Sequence, residues 1–186
     1  MRIISGTNKG KKLFIPDQKF TRPLKDLVKE SIFNFLEHSK KIDIRIQNSN
    51  ILDLFAGSGS FGLECISRGA KSVYFFENHL LTLKVLKKNI NLLKNKKNSK
   101  IFETDVIKFI LSKKKLDKKF DIIFIDPPYK ENKVNLIIET TKKRKLLKPG
   151  GIMILHRNKK DENKLSKEFN ILEERDYGVS KILFGN

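Results

Sequence analysis

The residues best suited to chemistry in this chain are Asp126, Pro127, Pro128 and Tyr129, which follow the mostly apolar run Phe120–Ile125. Such a run predicts a strand buried on both faces, as in a parallel sheet. The prolines end it because neither has an N–H for a β-ladder. Asp126 and Tyr129 are therefore expected at the carboxyl end of a central strand, where open α/β sheets bind ligands. Taken alone, the motif also fits a turn capped by the aspartate with a packed tyrosine.

Methylation of an exocyclic amino group is the chemistry that this motif favours. The nitrogen of such a group is a poor nucleophile because its lone pair is delocalised into the base. The Asp126 carboxylate and the fixed Pro127 carbonyl would accept its two hydrogens and stabilise the positive charge that develops. Tyr129 offers a ring on which a planar base can stack. The base would have to leave its helix, or be single-stranded, to enter the pocket.

Three further features are predicted at the same edge of the sheet, and they suit a nucleoside cofactor. The segment Asp53–Gly62 leaves a strand through glycines that let the backbone approach a ligand closely. Its three glycines also fit G-x-G-x-x-G, so an NAD site stays open. Glu77 ends the next strand, where a carboxylate can accept hydrogen bonds from ribose hydroxyls. Asp105 follows the third strand and would contact an adenine amino group, or else cap a helix.

The Asp126 motif favours S-adenosylmethionine over NAD, since hydride transfer would want a general acid there and the motif supplies no obvious one. The predicted cofactor-binding residues are Asp53, Phe55, Gly57, Gly59, Glu77, Asp105 and Asp126. The predicted catalytic residues are Asp126, Pro127 and Tyr129. No cluster of histidines has metal-ligand spacing, so no metal is expected.

The net charge of +19, from 40 Lys and Arg against 21 Asp and Glu, favours a polyanionic partner such as nucleic acid. Only seven of the basic residues are Arg, so the lysine excess also fits a compositional bias of the genome. The single Cys65 excludes an internal disulfide and a thiolate zinc cluster and fits a reducing compartment. With no long apolar run and no leader signal, we expect a cytoplasmic protein without a membrane span. We also expect it to be a monomer.

Strands and helices alternate from Asn50 onward, which predicts an α/β fold with a doubly wound, Rossmann-like sheet. Strands are expected at 51–55, 72–77, 100–103, 120–125 and 152–155, and an antiparallel pair at 169–175 and 179–184 closes the mostly parallel sheet. Residues 1–38 are predicted to form a basic β-hairpin and a helix that bind RNA. The helix carries an apolar stripe at Leu24, Leu27, Val28, Ser31, Ile32, Phe35 and Leu36. A polar linker leads to the methyltransferase domain, residues 50–186.

The motif series resembles that of class I S-adenosylmethionine-dependent amino methyltransferases, and the N-terminal sequence resembles the RsmD family in particular. That second resemblance lies in Arg2-Ile-Ile-Ser-Gly6, Lys9-Gly-Lys-Lys-Leu13, Thr21-Arg-Pro23, Phe33-Asn34, Leu63-Glu64 and Ser67-Arg-Gly-Ala70. It implies methylation of N2 of a guanine in 16S rRNA, guanine 966 in the family, during maturation of the small ribosomal subunit. The expected RNA-binding residues are Arg2, Lys9, Lys11, Lys12 and Arg22.

Other functions remain open at this point. A DNA adenine-N6 methyltransferase shares the Asp-Pro-Pro-Tyr pocket but usually carries a target-recognition region, for which this chain has little room. A non-catalytic RNA-binding assembly factor fits the charge and leaves the motif unexplained, and an NAD dehydrogenase ranks third. After strand five, His156 and Arg157 stand where the family commonly has an acidic residue. We interpret His156 as a solvated strand-end residue without a catalytic role.

Overall fold

A computed structural model of the protein describes residues 1–16, 24–128, 131–161 and 163–186. Arg22 and Tyr129, both predicted as site residues, lie outside the described residues. The helices are α1 Asp26–His38, α2 Ser60–Ser67, α3 Leu80–Leu92, α4 Val106–Leu111 and α5 Val134–Lys143. The strands are β1 Asn50–Leu54, β2 Ser72–Glu77, β3 Ser99–Glu103, β4 Phe120–Ile125, β5 Leu147–Asn158, β6 Ile171–Tyr177 and β7 Ser180–Gly185.

The seven strands form one sheet in the order β3-β2-β1-β4-β5-β7-β6. The first five run parallel, and β7 runs antiparallel to both of its neighbours. The predicted Rossmann-like sheet with its antiparallel edge pair is therefore confirmed. The chain first winds outward from β1 through β2 to β3 and then returns to place β4 on the other side of β1. A crevice for a ligand is expected where the winding reverses, between the carboxyl ends of β1 and β4.

Both faces of the sheet are apolar because its central strands are buried on both sides. Alternate residues of β4 divide between two hydrophobic clusters: Ile122 and Phe124 in the first, Ile123 and Ile125 in the second. Helices α1, α2 and α3 cover the first face, and α4 and α5 cover the second. The ring of Phe61 in α2 stacks on that of Phe124 with centroids 4.1 Å apart. This packing fixes α2, and with it the loop that precedes α2, against the centre of the sheet.

The apolar stripe predicted for the first helix is buried with one exception. Leu24 precedes α1, and Lys25 after it has extended backbone angles, so the helical period begins only at Asp26. Leu27 lies in the first turn of α1, at the edge of this stripe, and is 65% exposed. Lys29 takes a fully buried position on the same helix.

The N-terminal segment, residues 1–16, folds back on itself as predicted but forms only one β-bridge, between Arg2 and Lys12. Ile3 and Leu13 from its two arms are buried in the same hydrophobic cluster as the first face of the sheet. The Thr7 N–H donates a 2.8 Å hydrogen bond to the Ser67 carbonyl at the end of α2. The segment thus packs along α2. Among the helices described, none is long and apolar enough to cross a membrane.

Candidate active site

The crevice between β1 and β4 brings the glycine loop and the Asp126 motif side by side. The register pairs Leu54, the last residue of β1, with Ile125, the last residue of β4. The Asp126 N–H then lies 3.4 Å from the Leu54 carbonyl. Two segments more than 60 residues apart in the sequence therefore meet at one point of the carboxyl edge.

The loop after β1 has a backbone conformation that leaves room for a ligand. Phe55 has φ 65°, a left-handed conformation that is uncommon outside glycine and often marks a functional site. Gly57 and Gly59 also have positive φ, at 57° and 83°. A Cβ atom built on Gly57 would meet nothing within 4 Å, so this backbone faces open space. A Cβ on Gly59 would lie 2.5 Å from Leu86 Cδ1, so the loop passes close over α3.

Glu77, at the end of β2, holds that loop through backbone N–H groups. Its Oε2 accepts a hydrogen bond from the Gly57 N–H at 3.0 Å. Its Oε1 accepts from the N–H groups of Asn78 and His79, both at 2.8 Å. Carboxylate oxygens can accept further hydrogen bonds, so the side chain keeps capacity for a ribose diol. The open Gly57 backbone and this oriented carboxylate fit the nucleoside cofactor that the sequence predicts.

Asp105 combines the two roles that the sequence left open. Its Oδ1 accepts from the Lys108 N–H at 2.9 Å, which caps α4. Its Oδ2 accepts from the Asn78 amide at 3.1 Å, which links the ends of β2 and β3. The carboxylate thus lies at the cofactor edge next to the Glu77 turn, and its contact with adenine stays a prediction.

Asp53 lies beneath the glycine loop and is only 1% exposed. Its Oδ2 accepts a 3.1 Å hydrogen bond from the Gly62 N–H in the first turn of α2. Burial raises the pKa of Asp53 well above its usual value; the Gly62 bond opposes this, and the charges of Asp126 and Glu77 add to it. The structure therefore shows Asp53 tying β1 to α2, and its role toward the cofactor remains a prediction.

His156 is not the solvated strand-end residue that the sequence suggested: it is 5% exposed. β5 continues to Asn158, beyond the predicted end at Leu155, because β7 pairs with it through Arg157 and Asn158. The His156 Nδ1 lies 2.8 Å from the Asp126 Oδ1. This proximity could have been predicted by aligning the ends of the two apolar runs as neighbouring parallel strands. Ile125 then pairs with Leu155, which places residue 156 beside residue 126.

A pocket adjoins the Asp126-Pro-Pro segment. Its walls are Pro127, Pro128, Glu131, Val134, Leu155, Arg157, Asn158 and Asp161. Arg157 is buried there, and its guanidinium binds the Asp161 carboxylate and the Asn163 carbonyl. Sequence reasoning missed Arg157. Its guanidinium ties the loop after β5 to the end of that strand, and it forms a wall of the pocket together with the two prolines.

The four predicted RNA-binding residues of the N-terminal segment, Arg2, Lys9, Lys11 and Lys12, are all exposed. A buried carboxylate holds the segment in place: Glu64 accepts the N–H of Ile4 at 2.7 Å and of Ser5 at 2.9 Å. The Lys29 ammonium lies 3.7 Å from Glu64 and donates to the Arg2 carbonyl at 2.6 Å. Burial lowers the pKa of Lys29, and Glu64 opposes that shift.

One buried amide joins this N-terminal segment to the glycine loop. Asn89 of α3 donates to the Ser58 carbonyl at 2.9 Å and to the Phe14 carbonyl at 3.1 Å. Its Oδ1 accepts the Phe14 N–H at 2.8 Å. The basic segment and the predicted cofactor loop are therefore braced by the same side chain.

The chain is similar to a described protein family, to curated methyltransferases and to solved structures. The family model described as Conserved hypothetical protein 95 matches residues 1–186. The curated protein Ribosomal RNA small subunit methyltransferase D of Haemophilus influenzae is 32% identical over 180 residues, covering 96% of this chain and 90% of the relative. Its namesake in Buchnera aphidicola subsp. Acyrthosiphon pisum is 34% identical over 173 residues, covering 93% and 86%. A crystal structure of a Haemophilus influenzae protein described as a methylase superposes with a TM-score of 0.78 at 32% identity, covering 100% of this chain and 98% of that one.

Proposed function

We propose a function for this chain from one premise: it belongs to the RsmD family of methyltransferases. The chain is an rRNA methyltransferase that moves the methyl group of S-adenosylmethionine to the exocyclic N2 of a guanine in 16S rRNA, at guanine 966 by family resemblance. The modification belongs to maturation of the small ribosomal subunit. The observation that carries the proposal is the position of Asp126 at the crevice beside the glycine loop.

The cofactor half of the site fits S-adenosylmethionine, which supplies a methyl group on a sulfonium when bound. The Gly57 and Gly59 backbone would lie against its methionine part, since the loop faces open space at Gly57. Glu77 would accept the ribose hydroxyls with the oxygens that the loop already orients. Asp105, at the end of the neighbouring strand, would accept the adenine amino group.

The acceptor half prepares the nitrogen for attack. Asp126 would accept one hydrogen of the guanine amino group, and the Pro127 carbonyl the other. Both contacts draw the nitrogen lone pair out of conjugation and stabilise the positive charge that develops as the new bond forms. The same carboxylate is the nearest base for the proton that the nitrogen then loses. No covalent enzyme intermediate is needed. Cys65 is buried on α2, where burial raises the pKa of its thiol well above the usual value.

The RNA substrate is supported by charge and by position. The chain carries a net charge of +19, and relatives over nearly its full length are named for ribosomal RNA of the small subunit. The exposed Arg2, Lys9, Lys11 and Lys12 would bind phosphates, which fixes register on the RNA without reading its sequence.

The direct test is methyl incorporation by the purified protein from labelled S-adenosylmethionine. The substrates compared are 16S rRNA, small-subunit particles and duplex DNA, each followed by nucleoside analysis. We expect N2-methylguanosine from an RNA substrate and no incorporation with the Asp126→Ala variant. N6-methyladenine from DNA would establish the rival enzyme, and no S-adenosylmethionine binding by calorimetry would favour a non-catalytic RNA-binding factor.

The role of the basic segment has its own test. Replacing Lys9, Lys11 and Lys12 with alanine should weaken RNA binding and reduce the slope of log affinity against log salt by about 3. The matched control removes the equally exposed Lys113, Lys114 and Lys115, which follow α4 on the other face of the sheet. Equal losses in both triple variants would show a general charge effect and would contradict a dedicated RNA-binding segment.

A further inference from the structure

We propose that His156 is a positioning residue for Asp126: it holds one oxygen of the acceptor carboxylate so that the other faces the substrate amino group. The inference deepens the proposed function and rests on it for the identity of the acceptor. The contact itself can be tested without any methyl transfer.

The geometry assigns the two nitrogens of His156 different roles. Nδ1 lies 2.8 Å from Asp126 Oδ1, within the range of a charge-assisted hydrogen bond to a carboxylate. A carboxylate can only accept, so Nδ1 carries the N–H of this contact. Nε2 is buried and has no hydrogen-bond partner among the described residues. A buried N–H without an acceptor is costly, so the Nδ1–H tautomer is favoured over the Nε2–H tautomer.

Asp126 is left with one occupied oxygen and one available oxygen. Its side chain is 23% exposed, whereas that of His156 is 6% exposed, so the pair has a buried end and an open end. Among the described residues only Oδ1 has a hydrogen-bonding partner. Because the imidazole holds Oδ1, the carboxylate is ordered before the base arrives, and Oδ2 is left free to accept from the substrate amino group.

Packing alone does not explain a histidine at this position. The neighbouring positions of β5, Ile152 to Leu155, are fully buried apolar residues, and an apolar side chain at 156 would continue them without an unpartnered nitrogen. A buried polar atom without a partner costs free energy and calls for a compensating role. The compensation on this chain is the bond to Asp126. The backbone that carries the ring is held on both sides, because β5 lies between β4 and β7.

Three substitutions separate positioning from packing. Asn places its amide N–H near the position of histidine Nδ1, Gln places one near Nε2, and Leu fills the space with no donor. We expect His156→Leu and His156→Gln to lower kcat on rRNA about tenfold to a hundredfold, and His156→Asn to stay within about threefold of wild type. The dissociation constant for S-adenosylmethionine should change less than about twofold in all three.

Equal losses in the Asn and Leu variants would overturn the inference, and so would a Leu variant with unchanged kcat. A readout independent of activity is the long-range ¹⁵N–¹H correlation spectrum of the ring in the unliganded protein, which reports the tautomer directly. We expect a neutral Nδ1–H ring that loses this tautomer preference in Asp126→Ala. An Nε2–H tautomer in the wild type would refute the positioning contact. A correct tautomer together with no rRNA methylation would instead refute the proposed function.

Discussion

The two halves of the site are held together by different kinds of contact. In the proposed cofactor half, carboxylates accept hydrogen bonds from backbone N–H groups: Glu77 from Gly57, and Asp53 from Gly62. In the proposed acceptor half, Asp126 is held by a side chain, His156, on the adjacent strand. A backbone N–H is present in every residue except proline, whereas an imidazole is lost with one substitution. The cofactor half is therefore robust to changes in its partners, and the acceptor half depends on one distant residue.

The largest effect on methyl transfer is expected at Asp126, in the proposed acceptor half. We expect Asp126→Ala to reduce kcat by about a thousandfold or more, because the carboxylate acts on charge that develops only in the transition state. The affinity for S-adenosylmethionine, measured by calorimetry, should remain within a few-fold of wild type. A loss of cofactor affinity in proportion to the loss of activity would assign Asp126 to cofactor binding instead.

The opposite pattern is expected at Glu77. Glu77→Ala removes the proposed ribose acceptor and releases the Gly57 backbone, so the dissociation constant for S-adenosylmethionine should rise about tenfold to a hundredfold. At saturating cofactor, kcat should fall only a few-fold. Glu77→Gln keeps one carbonyl oxygen for the loop and is the matched control. Its dissociation constant for S-adenosylmethionine should lie between those of the wild type and Glu77→Ala. A fall in kcat in Glu77→Ala with unchanged affinity for S-adenosylmethionine would contradict the assignment of Glu77 to cofactor binding.

The Glu64 carboxylate holds the N-terminal segment on α2 through backbone N–H groups in the same way. Two glycines of the segment test how much its packing on α2 matters. Gly6 and Gly10 both have positive φ, at 79° and 82°. A Cβ on Gly6 would lie 1.8 Å from the Ser67 carbonyl oxygen, whereas one on Gly10 would meet nothing within 4 Å. Gly10→Ala should cost about 1 kcal/mol from backbone strain. Gly6→Ala should lose more stability in chemical denaturation and should also weaken RNA binding, because the segment must move off α2. Equal effects of the two variants would show that strain alone matters.

The smallest effect is expected at Asp53 and depends on pH. Burial raises the pKa of Asp53 in the folded state, so the folded protein holds this proton more tightly than the unfolded chain does. Stability is therefore lost as pH rises above the ordinary aspartate pKa of about 4. Asp53→Asn keeps an oxygen for the Gly62 N–H but has no charge to bury. Its free energy of unfolding, relative to that of the wild type, should therefore rise by about 1 kcal/mol from mildly acidic to neutral pH. A stability difference that does not change with pH would contradict this account.

The sequence predicted the positions of Asp53, the glycines and Glu77 at strand ends because the determinants of those positions are local. Apolar runs and turn residues define the strand ends, and the alternation of strands with helices predicts a doubly wound sheet. The sheet, its antiparallel edge pair and the shared edge of Glu77, Asp105 and Asp126 were all predicted correctly.

The contacts that the sequence did not predict are long-range and polar. His156 was interpreted as solvated because strand five seemed to end with its apolar run; only the pairing with β7 carries the strand on through polar residues. Lys29 was not predicted to be buried, since its burial needs Glu64 and the Arg2 carbonyl from two other segments. Leu27 was assigned to the buried stripe of the first helix, but it lies at the edge of that stripe and is exposed. For His156 and Lys29, a partner from a distant segment decides the environment.

The central claim is tested most directly by mapping methylated guanines in 16S rRNA from cells with and without this protein. The account predicts that one N2-methylguanine disappears when the protein is removed, returns with the wild-type chain and does not return with Asp126→Ala. An unchanged set of methylated guanines, or restoration by Asp126→Ala, would contradict it.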